Sequence, residues 1–516
     1  MRRLLGVVAT AALASAGFLV VSSAPANAAT FTPSPDPTVD GAAGSLRAAV
    51  AAATNAGGDE IDLVPGSTYT LNACQGQFSG LGQLQHGNTN LIIRTPSGAP
   101  ATIRQTCLAE RVMSNGSGSL TLDNVIITGG NLQQAIGTTG GGIDAQGGVI
   151  VNNSRLTGNS VQGVFTNGGA IHAAGVAVTN STLDHNTNSG NVAAGGAIGT
   201  IGSVSVTDST ISNNTANGFV AAQGGAIDAF SGVTVTRSTM ADNTAISDGN
   251  SIAGAFDSGI GAATITDSTL SGNTAHVLAA FNGTSHAQGG VFRADRAATV
   301  TNSTLSGNSA IAPDQARGGA IFAFGQGPQT GVTLINSTIS DNSASELGGG
   351  IWTDFSLVTV YATVAGNSAP SGANVNLNGT GTLTSFATVI ALPQGTGLNC
   401  ASLGSTNTKG FNFSDDASCG FTGGTDDQTG ADPLLGALAD NGGPTMTRLP
   451  QSTSPLVDAI PNASCQSDGA SGITTDQRAF ARPSSTSPEC DIGAVEIQPP
   501  PPPGGGGSLP EARFTG

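Results

Sequence analysis

The chain has 516 residues, of which 9% are charged, 38% are hydrophobic and 76 are glycine, and its formal charge is −17. Soluble domains average roughly 25% charged residues and about 7% glycine, so this is not the composition of a helical enzyme. The β-branched content sets it apart from a disordered acidic chain, and 16 Lys and Arg against 33 Asp and Glu exclude the basic footprint that a nucleic-acid backbone requires.

The N-terminus reads as a secretory signal over residues 1–28. Arg2 and Arg3 supply the positive start, Leu4 to Val21 the apolar stretch, and Ala26-Asn27-Ala28 a small-x-small cleavage site. The mature chain is then expected to begin at Ala29, and a membrane anchor is the lesser alternative. No other run approaches the roughly 20 apolar residues that span a bilayer. Residues 29–110 read as an N-terminal cap and first coils: Gly44 to Thr54 is an Ala-rich helix and Asp59 to Leu71 the first coil.

Residues 111–395 repeat one phrase eight times: NSRLTGNS, NSTLDHNT, DSTISNNT, RSTMADNT, DSTLSGNT, NSTLSGNS, NSTISDNS and YATVAGNS. The anchors are Ser154, Ser181, Ser209, Ser238, Ser268, Ser303, Ser337 and Ala362, spaced by 25 to 35 residues. Such periods mark a solenoid, propeller or array. Before the anchors, apolar residues alternate with polar ones (Val176 and Val178, Val204 and Val206, Val233 and Val235, Val332 and Leu334), which is strand periodicity. A second strand signal, GGxI, recurs at Ile143, Ile171, Ile198, Ile227 and Ile321. Two strand signals in units this short and variable predict one coil per unit, an all-β right-handed parallel β-helix.

An asparagine falls five residues after every anchor: Asn159, Asn186, Asn214, Asn243, Asn273, Asn308, Asn342 and Asn367. Asparagine tolerates the left-handed backbone of a sharp turn, and stacked amides form ladders. The column is therefore expected to be a structural ladder at a left-handed corner rather than a set of glycosylation sites.

The residue after GGxI forms a second column: Asp144, His172, Gly199, Asp228, Asp257, Arg293, Phe322 and Trp352. By alternation it faces outward. Asp228, Asp257 and Arg293 are weak candidates for a catalytic group, with Ca²⁺ shared by the two carboxylates. Phe322 and Trp352 are candidates to stack on a sugar ring. The alternative reading is a variable solvent face. His185, His276 and His286 lack metal-ligand spacing, and the NTD, GHG and RIK motifs of polygalacturonase-type proteins are absent. The pairs Asp415-Asp416 and Asp426-Asp427 read as a solvated loop.

Six cysteines flank the repeats: Cys74, Cys107, Cys400, Cys419, Cys465 and Cys490. An even number in an exported chain suggests disulfides; fifteen pairings are possible, and clustering favours Cys74–Cys107, Cys400–Cys419 and Cys465–Cys490 as staples of the end segments.

Residues 396–497 form a C-terminal module and 498–516 a tail. The phrases ADPLLGALADNGGPTMTRLP, SPLVDA, TDQRAFARP and CDIGAVE, between residues 431 and 496, resemble the C-terminal module of choice-of-anchor Q proteins. GSLRAAVAAAT resembles the CSLREA-type N-terminal segment, with Gly44 in place of Cys and Ala48 in place of Glu. The resemblance implies an exported β-helix at or near the bacterial surface, with no catalytic residues to carry over. PPPPPGGGG, from Pro499 to Gly507, reads as a spacer, leaving a released chain or an unusual anchor.

The sequence thus predicts a secreted or cell-surface protein, monomeric, without nucleic-acid partners or a transmembrane helix in the mature chain. Its role is expected to be noncatalytic adhesion or contact with an extracellular glycan or surface protein. The alternatives are a lyase or hydrolase acting on acidic polysaccharide, and a structural cell-envelope spacer.

Overall fold

In the computed structural model, each phrase is one turn of a parallel β-solenoid. The structure describes residues 28–498 apart from 56–57, 75–81, 135–136, 280–284, 326–330, 380 and 468. The signal-like segment before Ala28 and the tail from Pro499 lie outside the described residues.

One coil shows the plan. Ile171–Ala173 lies in wall 1, Gly175–Thr179 in wall 2, Thr182–Asp184 in wall 3 and Thr187–Ala194 in wall 4. Stacking the coils gives four sheets of 12, 14, 14 and 12 strands. The solenoid continues on both sides of the eight phrases, from Asp59–Asp62 to Gln428–Thr429. Among the described residues no helix is long and apolar enough to cross a membrane.

Parallel pairing keeps the register in phase, so like residues form columns. In wall 1, Ile143, Ile171, Ile198, Ile227, Phe256, Phe292, Ile321 and Ile351 align. In wall 2, Val149, Val176, Val204 and Val233 align, and in wall 3 Leu156, Leu183, Ile211 and Met240. All are buried and form one continuous core. A single coil cannot cover its own inner face; the next coil does so while satisfying the backbone.

The eight asparagines do form a ladder. Each Nδ2 donates to the Oδ1 of the next, at 3.0–3.1 Å from Asn159 to Asn308 and 2.8–2.9 Å from there to Asn367. The same Nδ2 donates to a carbonyl of the preceding coil, such as Ile211 for Asn243. Their backbone is not the left-handed corner, however. That conformation belongs to the residue before each: Gly158, His185, Asn213, Asp242, Gly272, Gly307, Asp341 and Gly366, at φ of 55° to 74°. The asparagine must face inward to reach both partners, so its predecessor takes the turn.

A second ladder was not foreseen. The anchor serines stack, each Oγ accepting from the amide of the previous anchor at 3.0–3.2 Å, as from Ser154 to Ser181 and Ser209 to Ser238. The residue before every anchor is also left-handed, for example Asn153 and Asn180. The asparagine ladder continues through Asn374 and Asn399 to Asp415, whose carboxylate accepts from Asn399 at 2.5 Å. Asp427 accepts similarly from Asn412 at 3.0 Å. These carboxylates terminate ladders instead of lying in a solvated loop.

At the N-terminal end, Leu46–Ala52 forms a short helix and turns Leu46, Ala49 and Val50 onto the core. The C-terminal module extends the solenoid only as far as Gln428–Thr429, and from residue 431 on it leaves the stack. It folds back along wall 3 and its corner with wall 2, where Val360, Tyr361, Phe386 and Phe411 pack against Leu456, Ile460 and Ile492. Gln477 bonds Thr338 at 2.6 Å and Thr304 at 2.8 Å, bridging two coils. Buried Arg478 pairs with Asp476 at 2.8 Å, and Arg482 lies 3.9 Å over the Tyr361 ring. The short phrases of this module are therefore docking residues. The three disulfides join Cys74–Cys107, Cys400–Cys419 and Cys465–Cys490.

Removing one ladder amide should orphan several groups of the preceding coil. Asn243→Ala leaves the Asn214 amide, the Asn214 side chain and the Ile211 carbonyl short of a partner. Each buried orphan costs about 1–3 kcal/mol, so a clear loss of denaturant resistance is expected. A urea midpoint equal to that of the parent would contradict the ladder's role.

Candidate functional site

Wall 1 carries outward side chains of every chemical type. Pairing places Ser114, Asp144, His172, Gly199, Asp228, Asp257, Arg293, Phe322, Trp352 and Asn376 on successive coils of one column. The last residues of wall 4 form a second column: Thr139, Asn167, Ala194, Gln223, Ile252, Gln288 and Arg317.

The two columns face each other across a re-entrant corner. Thr139 donates to Asp144 at 3.0 Å, and the Arg317 guanidinium lies 5.2 Å over the Trp352 ring. A Cβ at Gly199 would fall 1.3 Å from Asn167 Oδ1, so only glycine fits under that amide.

The column divides into three stretches. In the first, Asp144 is paired with Arg111 at 2.5 Å and with His172 Nδ1 at 2.8 Å. Burial works to raise its carboxyl, but the His172 hydrogen bond and the Arg111 charge prevail and hold it below the usual range.

The middle stretch contains the three candidates read from sequence, and the structure brings them together. Asp257 is 3% exposed and accepts from the Gly259 amide at 3.1 Å. Arg293 lies 3.7 Å from Asp257 and clasps Asp295 with two hydrogen bonds of 2.9–3.0 Å. Burial pushes Asp257 up, partly offset by Arg293. Asp228 is half-buried, and burial together with the neighbouring Asp257 charge pushes its carboxyl up to about 8. One cation thus serves three carboxylates, and Asp228 is the one that stays protonated at neutral pH. Among the described residues no group of three or more His, Cys, Asp or Glu side chains is arranged to hold a metal ion.

The third stretch is aromatic. Phe322 and Trp352 stack with centroids 4.6 Å apart, but they are 3% and 1% exposed. Their faces are occupied by each other and by Arg317, which corrects the expectation that they offer open platforms to a sugar. The accessible ring is Phe324, 48% exposed and 6.5 Å from Trp352.

Phe324 belongs to a third row, two residues beyond the column and on the same face. This row holds Ile201, Phe230, Asp295, Phe324 and Asp354, stacked through backbone bonds such as Phe324 N to Ala294 O at 3.0 Å; Ile260, three residues after Asp257, lies beside it with its N bonded to Phe230 O at 3.0 Å. Its apolar members are 48–71% exposed. Alternation contained the signal, because residues two positions after Gly199, Asp228 and Phe322 share their face.

No family model matches the sequence, and no curated protein matches it. Among solved structures, the fold is similar to a mannuronic acid-specific polysaccharide family 6 lyase from human gut microbiota, with a TM-score of 0.31 and 11% identity over 70% of this chain and 87% of that one.

The Asp228 carboxyl gives a pH signature. A folded-state value raised from 3.8 to about 8 favours the protonated form, so its contribution to stability is present below about pH 4 and is lost as pH rises toward 8. Asp228→Asn should therefore match the parent near pH 4 and melt a few degrees higher at pH 8. A difference that does not change with pH would contradict the assignment.

Proposed function

We propose that the protein is exported and displayed at or near the cell surface, where the wall 1 face holds an extracellular polysaccharide without cleaving it. Export is supported by the Arg2-Arg3 start, the apolar run, Ala26-Asn27-Ala28 and three disulfides. The phrases between residues 431 and 496, similar to those of choice-of-anchor Q proteins, support the same placement.

The observation that carries binding is the row Ile201, Phe230 and Phe324, with Ile260 next to it, exposed beside a polar column. Phe230 and Phe324 are three coils apart, about 14 Å at the ladder spacing. Rings at that separation suit a polymer laid along the axis, its apolar faces on the rings and its hydroxyls on the corner. Arg293 argues for retention over turnover: committed to Asp295 and Asp257, its guanidinium is not free to act as a base.

A second reading, lyase or hydrolase action on acidic polysaccharide, draws on one feature. A carboxyl at about 8 holds its proton at neutral pH and is chemically able to donate it. Turnover separates the readings: product release that Asp228→Asn abolishes belongs to an enzyme.

Incubating the mature chain with a panel of polysaccharides tests the proposal. Retention without product release is expected, and Phe230→Ala combined with Phe324→Ala should weaken it at least tenfold. Retention unchanged in that variant, or no retention by the parent, would overturn the proposal.

A further inference from the structure

Wall 4 contains a second concave surface, on different residues. Its strands are longest in three consecutive coils, Ser160–Asn167, Thr187–Ala194 and Thr215–Gln223. Each strand bends at a glycine, and Gly163, Gly190 and Gly218 are in register. A Cβ at Gly163 would fall 2.5 Å from Thr138 Oγ1, and one at Gly218 would fall 1.9 Å from the Ala221 carbonyl. Side chains at these positions would abolish the bend. The result is a cleft of about 380 Å³, lined by Gln162, Ser189, Asn191 and Asn217 with Phe219, Asp248 and Leu278.

The lining indicates the kind of ligand. Gln162, Ser189 and Asn217 follow one another in register, so the floor presents an amide, a hydroxyl and an amide on adjacent coils. Such groups both donate and accept, as sugar hydroxyls do. Leu278, 56% exposed, is an apolar surface for the CH face of a ring. Among the described residues no Lys or Arg lines the cleft, and Asp248 is its one charged member. An acidic polymer would meet no counter-charge here on a chain of net charge −17.

A peptide added as a strand is excluded by the backbone. Gln162 pairs with Ser189 and Ser189 with Asn217, so the floor is the interior of a sheet and offers no free edge.

We propose that this cleft is a binding site for an uncharged saccharide chain, separate from the wall 1 face. Affinity electrophoresis or calorimetry on the full chain, with dextran, mannan and β-glucan as neutral probes and alginate and polygalacturonate as acidic ones, tests it. At least one neutral polymer should bind, and Gln162→Ala with Asn217→Ala should weaken that binding at least tenfold while leaving the melting temperature within a degree or two. Both positions are exposed and outside the core, so folding is not at stake. Phe230→Ala with Phe324→Ala should leave this binding intact, which separates it from wall 1. Binding of acidic polymers alone, no binding of the neutral ones, or equal affinity in the Gln162/Asn217 variant would overturn the proposal.

Discussion

The asparagine ladder is the constraint from which the rest of the structure follows. A buried primary amide is costly unless its donors and acceptor are matched, and here each is matched by the coils above and below. Asn243 serves Asn214, Asn273 and the Ile211 carbonyl together. That demand fixes the corner between walls 3 and 4 at the same height in every coil. It also fixes the five-residue interval from anchor to asparagine, because a shift by one residue would carry the amide to the outside of the sheet.

With that interval fixed, length variation must go elsewhere. Wall 4 lies between the ladder and the next GGxI strand, and it takes the variation: nine residues in Thr215–Gln223 but only two in Ser343–Ala344. The cleft is one product of that freedom. The wall 1 corner is another, since the end of wall 4 supplies Thr139, Asn167 and Arg317 to it. A rigid inner column thus permits variable outer ones, and both proposed binding surfaces lie on the outer ones.

The core and the columns were legible in the sequence because both follow from period and repetition. Alternation at Val204 and Val206 predicted wall 2, and the phrase GGAI predicted the wall 1 register that puts Asp228, Asp257 and Arg293 on adjacent coils. What was not legible depended on contacts between columns. The burial of Trp352 follows from Phe322 and Arg317, which come from other coils and another wall. The ion pair of Arg293 with Asp295 is local, yet nothing in the repeat marks it because the column carries an arginine in one coil alone. The fold-back of residues 431–496 along wall 3 was also hidden, since Gln477 reaches Thr304 and Thr338 across more than a hundred residues of sequence.

Cross-linking on wall 2 is the most direct check that each phrase is one coil and that the coils stack in register. Thr234 and Thr264 are paired neighbours on adjacent coils, and Thr299 lies one coil further on. Neighbouring strands lie about 4.8 Å apart, within disulfide reach, whereas two coils are not. With cysteines at 234 and 264, mass spectrometry should find a new disulfide under mild oxidation; with cysteines at 234 and 299 it should find two free thiols. A bond in the second variant and none in the first would contradict the register on which every column described above is built.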